Sequence, residues 1–109
     1  MSEGDAVVPT LNRLAPHFRT VVATQDWHPA DHRSFAAQGG PWPVHCVAGT
    51  PGAEFHPNLD RDPIDFVVRK ATTADQEAYS GFDGTDLAAQ LRARGVRRVF
   101  VGGLALDYC

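Results

Sequence analysis

The sequence lacks the features that would place the protein in a membrane or on nucleic acid. No apolar run approaches the roughly 20 residues needed to cross a bilayer. The first residues, MSEGDAVVPT, have neither the basic nor the apolar part of a signal peptide. Beyond the pair Arg97 and Arg98 there is no cluster of positive charge, and the formal net charge is -3. We therefore expect a cytoplasmic protein that binds neither membranes nor nucleic acid.

Cysteine is also scarce. The 109 residues contain two cysteines, Cys46 and Cys109, which is enough for one disulfide. Reduced thiols are the better prediction, because no export signal is present and the cytosol keeps cysteines reduced. Internal repeats and low-complexity segments are missing as well. The length suits one small domain over residues 1–109.

The spacing of apolar residues predicts two helices and three strands. The predicted helices cover residues 6–18, with Asp5 as the N-terminal cap, and 86–94, with Gly95 as the C-terminal stop. The predicted strands are short apolar runs at 20–27, 64–70 and 97–103. Strands of this kind, separated by helices or long crossovers, are typical of a parallel sheet in an α/β fold.

Polar residues follow each of the predicted strands. Asp26 and His28 lie at the end of the first strand, Lys70 ends the second, and Cys109 follows the third. Open parallel sheets place their functional sites beyond the carboxyl ends of the strands. We therefore expect these side chains to meet on one edge of the sheet, although a lysine at a strand end is often only solvated.

Asp26 and His28 form the first candidate site. Residues two apart in an extended backbone point to the same side, so a carboxylate and an imidazole would converge there. His32 and His45, from the loop that follows, could complete a set of ligands that suits Zn²⁺, Mn²⁺ or Fe²⁺. The alternative is that Asp26 caps a turn before Pro29 and that the histidines are surface residues.

Cys109 is the candidate nucleophile. In a βα unit a helix begins near such a position, and a cysteine at a helix N-terminus is activated by the helix dipole. Backbone N–H groups at the same turn can hold an oxyanion, and Asp107 could orient neighbouring groups. An ordinary buried cysteine is the alternative, and it is the preferred interpretation for Cys46.

Two stretches of the chain resemble the nicotinamidases, also called pyrazinamidases. VVATQDWHPADHRSFAAQGGPWPVHC combines Asp-x-His with WPVHC and resembles the metal-binding half of these enzymes. The stretch from FVVRK to VGGLALDYC resembles the segment that leads to their nucleophilic cysteine. The resemblance extends from about residue 4 to residue 109. It implies an isochorismatase-like cysteine hydrolase, whose fold is a three-layer, Rossmann-like parallel sheet with helices on both faces.

The resemblance also implies roles for individual residues. The implied metal ligands are Asp26, His28 and His45, with His32 at a position that ligates in some members, and the cofactor is one divalent Zn, Mn or Fe ion. The implied catalytic residues are Lys70 and the nucleophile Cys109. Substrate-pocket positions are matched by Trp42, Tyr79, Leu104 and Ala105, with a cis peptide bond between the last two. The N–H groups of Ala105 and Cys109 match the oxyanion hole.

The implied reaction is hydrolysis of nicotinamide, or of pyrazinamide, to the acid and ammonia in NAD salvage. The family opens with a strand of the type Asp-x-Gln-x-Asp-Phe, whose first aspartate is the general base, and no such strand occurs in this sequence. The family also continues beyond the nucleophilic cysteine. We therefore expect an internal piece of a nicotinamidase, truncated at both ends, with negligible activity by itself.

Three other functions stay open at this stage. The chain could be a metal-binding remnant without enzymatic activity, or a related cysteine amidohydrolase with another carboxamide substrate. It could also be a metallohydrolase that activates water. The expected partner is a small molecule, nicotinamide, and a homo-oligomer is left open.

Overall fold

The computed structural model describes residues 3–105 and 107–109. Its regular elements are, in chain order, helix α1 (Val7–Leu14), strand β1 (Val22–Asp26), strand β2 (Phe66–Lys70) and helix α2 (Leu87–Ala93). Single 3-10 turns lie at Gly4–Ala6, Ala15–His17, Ala36–Gln38 and Pro51–Ala53. In the described part of the chain, no helix has both the length and the apolar character that crossing a bilayer requires.

Helix α1 is shorter than predicted and has a different cap. It begins at Val7 with Ala6 as the N-cap residue, and Asp5 lies inside the preceding 3-10 turn. Because Ala6 already has helical backbone angles (φ -63°, ψ -18°), the turn runs into the helix without a break. Asp5 therefore does not occupy the extended position from which a side chain caps a helix, and the prediction of Asp5 as N-cap is wrong.

Strands β1 and β2 form a parallel pair, as predicted. The register begins with Val22 opposite Phe66 and ends with Asp26 opposite Lys70. Parallel strands run in the same direction, so their carboxyl ends meet at the same edge of the sheet. The register therefore puts a carboxylate and an ammonium side by side at that edge.

Helix α2 supplies two of the three members of the buried apolar cluster on the sheet. Leu87 and Leu91, one turn apart, are buried against Val68 of β2. The helix ends where predicted: Gly95 has φ +73°, and the N–H of Val96 donates to the carbonyl of Leu91. A glycine in the left-handed region followed by this bond is a common helix terminus, because an L side chain is strained there.

The third predicted strand, over 97–103, is wrong for this structure. Within residues 3–105 and 107–109 the sheet has two strands, and neither pairs with this segment. Val99, Phe100 and Val101 are accordingly 50, 67 and 85 % exposed. An apolar, β-branched composition favours extended backbone, but a strand forms only where a neighbour accepts and donates its hydrogen bonds.

The long connection between the strands is held by two short backbone bridges. His28 pairs with Val47, and Phe35 pairs with Trp42. Phe35 is 1 % exposed, so its side chain anchors the second bridge in the interior. The two bridges fold the connection back over the carboxyl end of β1, and they bring Trp42 to that edge.

Gly40 lies where this connection crosses its own backbone. A Cβ atom at this position would lie 2.2 Å from the carbonyl carbon and oxygen of Ser34. We predict that Gly40→Ala lowers the free energy of unfolding by about 1–3 kcal/mol, the usual cost of overpacking, because rigid backbone must move. Gly52→Ala is the matched control, since its nearest neighbour would be 3.7 Å away. Urea unfolding of both variants measures the difference, and equal midpoints would contradict the prediction.

Candidate metal centre and thiol site

The carboxyl ends of β1 and β2 place Asp26 and Lys70 in direct contact. Lys70 Nζ lies 2.6 Å from Asp26 Oδ1, and the two side chains are 5 and 21 % exposed. The approach does not have hydrogen-bond geometry, so among the described residues Oδ1 is a buried oxygen without a hydrogen-bond donor. The same ammonium donates to the carbonyl oxygen of Ala78 at 2.9 Å. The edge of the sheet therefore carries a buried ion pair with one carboxylate oxygen incompletely satisfied.

Two histidines converge on the carboxylate of this pair. Asp26, His28 and His45 each offer a ligand atom, and these atoms all lie within 4.8 Å of one another. Asp26 and His28 come from the end of β1 with one residue between them, as the two-residue spacing predicted. We call Asp26, His28 and His45 the metal cluster.

Backbone carbonyls orient both imidazoles of the metal cluster. Nδ1 of His28 lies 2.9 Å from the carbonyl oxygen of Ala71, and Nδ1 of His45 lies 2.8 Å from that of Pro43. A carbonyl can only accept, so each Nδ1 carries a hydrogen, and in the neutral imidazole the lone pair is then on Nε2. Nε2 of His28 is turned toward Asp26, 3.8 Å from Oδ2.

The donor set fits a divalent metal ion. Two imidazole Nε2 atoms and one carboxylate are ligands that Zn²⁺, Mn²⁺ and Fe²⁺ accept, and the carbonyls behind the rings are typical outer partners of metal-bound histidines. The incompletely satisfied oxygen of Asp26 is a further polar group that a cation would stabilise.

Burial keeps His28 neutral. Desolvation lowers the pKa of His28 below its usual 6.5, and this effect exceeds the opposing influence of the Ala71 carbonyl and the Asp26 carboxylate. Neutral imidazole is the form that binds a metal ion, so the lowered pKa keeps His28 available as a ligand at slightly acidic pH.

His32 lies next to the metal cluster but is not one of its three members. Its ring stacks on that of His28, with ring centroids 4.1 Å apart and planes 23° from parallel. It is completely buried, and both ring nitrogens have protein partners in Ser34 and Gln76.

The candidate nucleophile lies on the other side of Lys70. Lys70 Nζ is 3.7 Å from Cys109 Sγ, so the expectation that these two residues share an edge of the sheet is met. Cys109 is exposed and its thiol is free. A single ammonium therefore touches a carboxylate of the metal cluster and the sulfur.

Cys46 is a free thiol of a different kind. It is partly buried rather than fully buried, which corrects the sequence interpretation. Burial, followed by the nearby Asp26 carboxylate, raises the pKa of the Cys46 thiol, so it remains protonated and makes a poor nucleophile. Its contribution is through the backbone, because its carbonyl accepts the N–H of His28 at 2.9 Å.

One cavity joins the metal cluster to the thiol. It has a volume of about 210 Å³ and is lined by Asp26, His28, Trp42, Pro43, His45, Glu77, Ala78, Tyr79, Tyr108 and Cys109. Trp42 and Tyr79 were expected there, and Tyr108 was not. The Tyr108 ring meets Trp42 edge-on at 5.0 Å, and its position beside Cys109 was the only sequence signal. A cavity of about 150 Å³ can hold benzene, so this one has room for a small aromatic ring.

For the segment before Cys109, the structure shows one of the expected features. The peptide bond between Leu104 and Ala105 is cis, as the resemblance implied. Neither residue lines the cavity, and Leu104 is 55 % exposed. The expected roles of Leu104 and Ala105 in the substrate pocket therefore stay predictions.

The chain is similar to known proteins over nearly its whole length. The Isochorismatase domain family matches residues 1–109. Nicotinamidase/pyrazinamidase of Mycobacterium tuberculosis is 48 % identical over 103 residues, covering 87 % of this chain and 54 % of that protein. Nicotinamidase of Acinetobacter baylyi is 38 % identical, covering 96 % of this chain and 59 % of that protein.

A solved structure extends this similarity to three dimensions. Pyrazinamidase of Pyrococcus horikoshii in complex with zinc has a TM-score of 0.90 and 50 % identity, covering 100 % of this chain and 62 % of that one. The chain thus spans between 54 and 62 % of the length of these relatives.

The lowered pKa of His28 generates a pH prediction for the metal-free chain. The unfolded chain protonates this imidazole near its usual pKa of 6.5, whereas the folded chain does so only at lower pH. Unfolding therefore takes up a proton in this window, and the free energy of unfolding falls as the pH drops below about 6.5. His28→Gln should show a smaller fall between pH 7.5 and pH 5.5 in urea titrations with a chelator present. An identical pH dependence of the two proteins would contradict the shift.

Proposed function

Since the chain belongs to the isochorismatase family, we propose that it carries the metal and thiol site of a nicotinamidase. The reaction is hydrolysis of nicotinamide to nicotinate and ammonia, and pyrazinamide is a related substrate. The observation that carries the proposal is the placement of Cys109 in the same cavity as the metal cluster, with Lys70 in contact with both Asp26 and the Cys109 sulfur. The relatives named nicotinamidase and pyrazinamidase support it.

Asp26, His28 and His45 would hold one divalent metal ion. The zinc complex of the Pyrococcus horikoshii relative supports zinc for this position. When bound, the ion supplies a Lewis acid that can anchor the ring nitrogen of a pyridine carboxamide. The aromatic side chains of Trp42 and Tyr79, on the cavity wall, would hold the ring and fix its orientation relative to the thiol.

Cys109 would be the nucleophile. The Lys70 ammonium, 3.7 Å from Sγ, stabilises negative charge on the sulfur. The thiolate attacks the carboxamide carbon, and the carbonyl oxygen becomes an oxyanion. The N–H groups of Ala105 and Cys109 are the expected donors to this oxyanion. Collapse of the intermediate breaks the C–N bond: the nitrogen takes up the proton that the thiol gave up and leaves as ammonia. Water then cleaves the remaining thioester to nicotinate and free thiol.

The proton on Cys109 needs an acceptor. Among residues 3–105 and 107–109, Lys70 hydrogen-bonds the thiol and no carboxylate does. A positioned acid or base contributes typically about 10²–10⁴-fold to a rate. We therefore expect the 109-residue chain by itself to turn over nicotinamide slowly or not measurably.

We predict that Cys109→Ala abolishes whatever ammonia release from nicotinamide the zinc-loaded chain shows, whereas Cys46→Ala keeps it at the parent level, because Cys46 acts through its backbone carbonyl. Ammonia is measured at high protein concentration, and protection of Cys109 from alkylation by nicotinamide reports binding where turnover is slow. Ammonia release that survives Cys109→Ala but not a chelator would indicate a metallohydrolase that activates water. Zinc binding with neither protection nor turnover would indicate a metal-binding remnant, and protection by other carboxamides only would indicate a related amidohydrolase.

A further inference from the structure

His32 is the most deeply buried histidine of the described chain, with no exposed surface. Its Nε2 lies 2.5 Å from the carbonyl oxygen of Gln76, and its Nδ1 lies 2.7 Å from Ser34 Oγ. The backbone N–H of Ser34 also points at Nδ1, at 3.3 Å. The ring thus joins two segments that are 44 residues apart in the chain.

These partners determine where the ring hydrogen lies. The Gln76 carbonyl can only accept, so Nε2 of His32 must donate to it. The Ser34 N–H can only donate, so Nδ1 must accept. His32 is therefore a neutral imidazole with its hydrogen on Nε2 and its lone pair directed at Ser34. Neither nitrogen has a lone pair available for a metal ion while these bonds persist.

The contacts of His32 reach both halves of the site. One face of the ring supports His28, a member of the metal cluster. The bond to Gln76 holds the segment that continues to Ala78 and Tyr79, which line the cavity. Ala78 in turn accepts a hydrogen bond from Lys70. Arg33 adds two hydrogen bonds to the same segment: its backbone N–H donates to the carbonyl of Ala74 at 2.7 Å, and its Nη1 donates to the carbonyl of Asp75 at 3.2 Å.

We propose that His32 is a positioning residue and not a metal ligand. Its ring stacks on the ring of His28, and its hydrogen bond to Gln76 links the 74–79 segment to the metal cluster. Together these contacts fix the distance between the metal cluster and the cavity wall formed by Ala78 and Tyr79. Any effect of His32 on catalysis rests on the proposed function. Its effects on metal binding and on the order of the 74–79 segment do not.

The test compares variants of the full chain by Co²⁺ binding, followed by the visible absorption of the bound ion. His32→Gln keeps an amide N–H that can reach the Gln76 carbonyl, so we expect Co²⁺ affinity within about threefold of the parent and an unchanged spectrum. His32→Ala loses the support, and we expect affinity to fall about 10–100-fold, the usual effect of removing an outer partner of a ligand. His45→Ala serves as the reference for a lost ligand, and His56→Gln, in an exposed loop, serves as the matched control.

Hydrogen exchange of the 74–79 segment supplies a second readout that needs no bound metal. Exchange there should be faster in His32→Ala than in the parent and restored by His32→Gln. The proposal is overturned if His32→Gln loses Co²⁺ as completely as His45→Ala, because His32 would then be a ligand. It is also overturned if His32→Ala matches the parent in both affinity and exchange. Neither readout involves amide hydrolysis, so a chain that passes both tests but hydrolyses no nicotinamide contradicts only the proposed function.

Discussion

The pairing of Asp26 with Lys70 is the interaction on which the rest of the site depends. The parallel register of β1 and β2 sets these residues opposite each other, and the side chains meet at 2.6 Å. The two carboxylate oxygens then serve different neighbours: Oδ1 faces the ammonium, and Oδ2 faces Nε2 of His28 at 3.8 Å. Because Lys70 also contacts Cys109, one strand register determines the separation between the metal cluster and the thiol.

A buried ion pair such as Asp26 and Lys70 adds little to the stability of the fold, so a role in the site explains it better. Removing two charges from water costs free energy that their attraction only partly offsets, and the cost falls when further hydrogen bonds satisfy the ions. Here the Ala78 carbonyl satisfies part of Lys70, while Asp26 keeps an oxygen without a donor in the described chain. A cation bound beside the carboxylate would stabilise this unsatisfied oxygen. The donor set of the metal cluster is suited to hold such a cation.

The sequence predicted the parts of the site that follow from strand ends. Asp26 and Lys70 end apolar runs, and parallel strands must bring such ends to one edge. The carbonyls of Ala71 and Ala78, which orient His28 and Lys70, could not be predicted, because every residue type carries a carbonyl and no side-chain pattern marks it. The third strand failed for a related reason: composition favours extended backbone, but it does not supply the neighbouring strand that segment 97–103 would need.

The reactivity of the Cys109 thiol tests the role of Lys70 most directly. Iodoacetamide alkylation of both cysteines can be followed by mass spectrometry in the parent and in Lys70→Met, which keeps a side chain of similar length without the charge. The Lys70 ammonium lies 3.7 Å from Sγ and stabilises negative charge on the sulfur as it attacks, so alkylation of Cys109 should be slower in the variant. Cys46, whose raised pKa comes mainly from burial, is the internal control and should change little. Equal alkylation rates of Cys109 in the two proteins would contradict a site in which Lys70 links the metal cluster to the thiol.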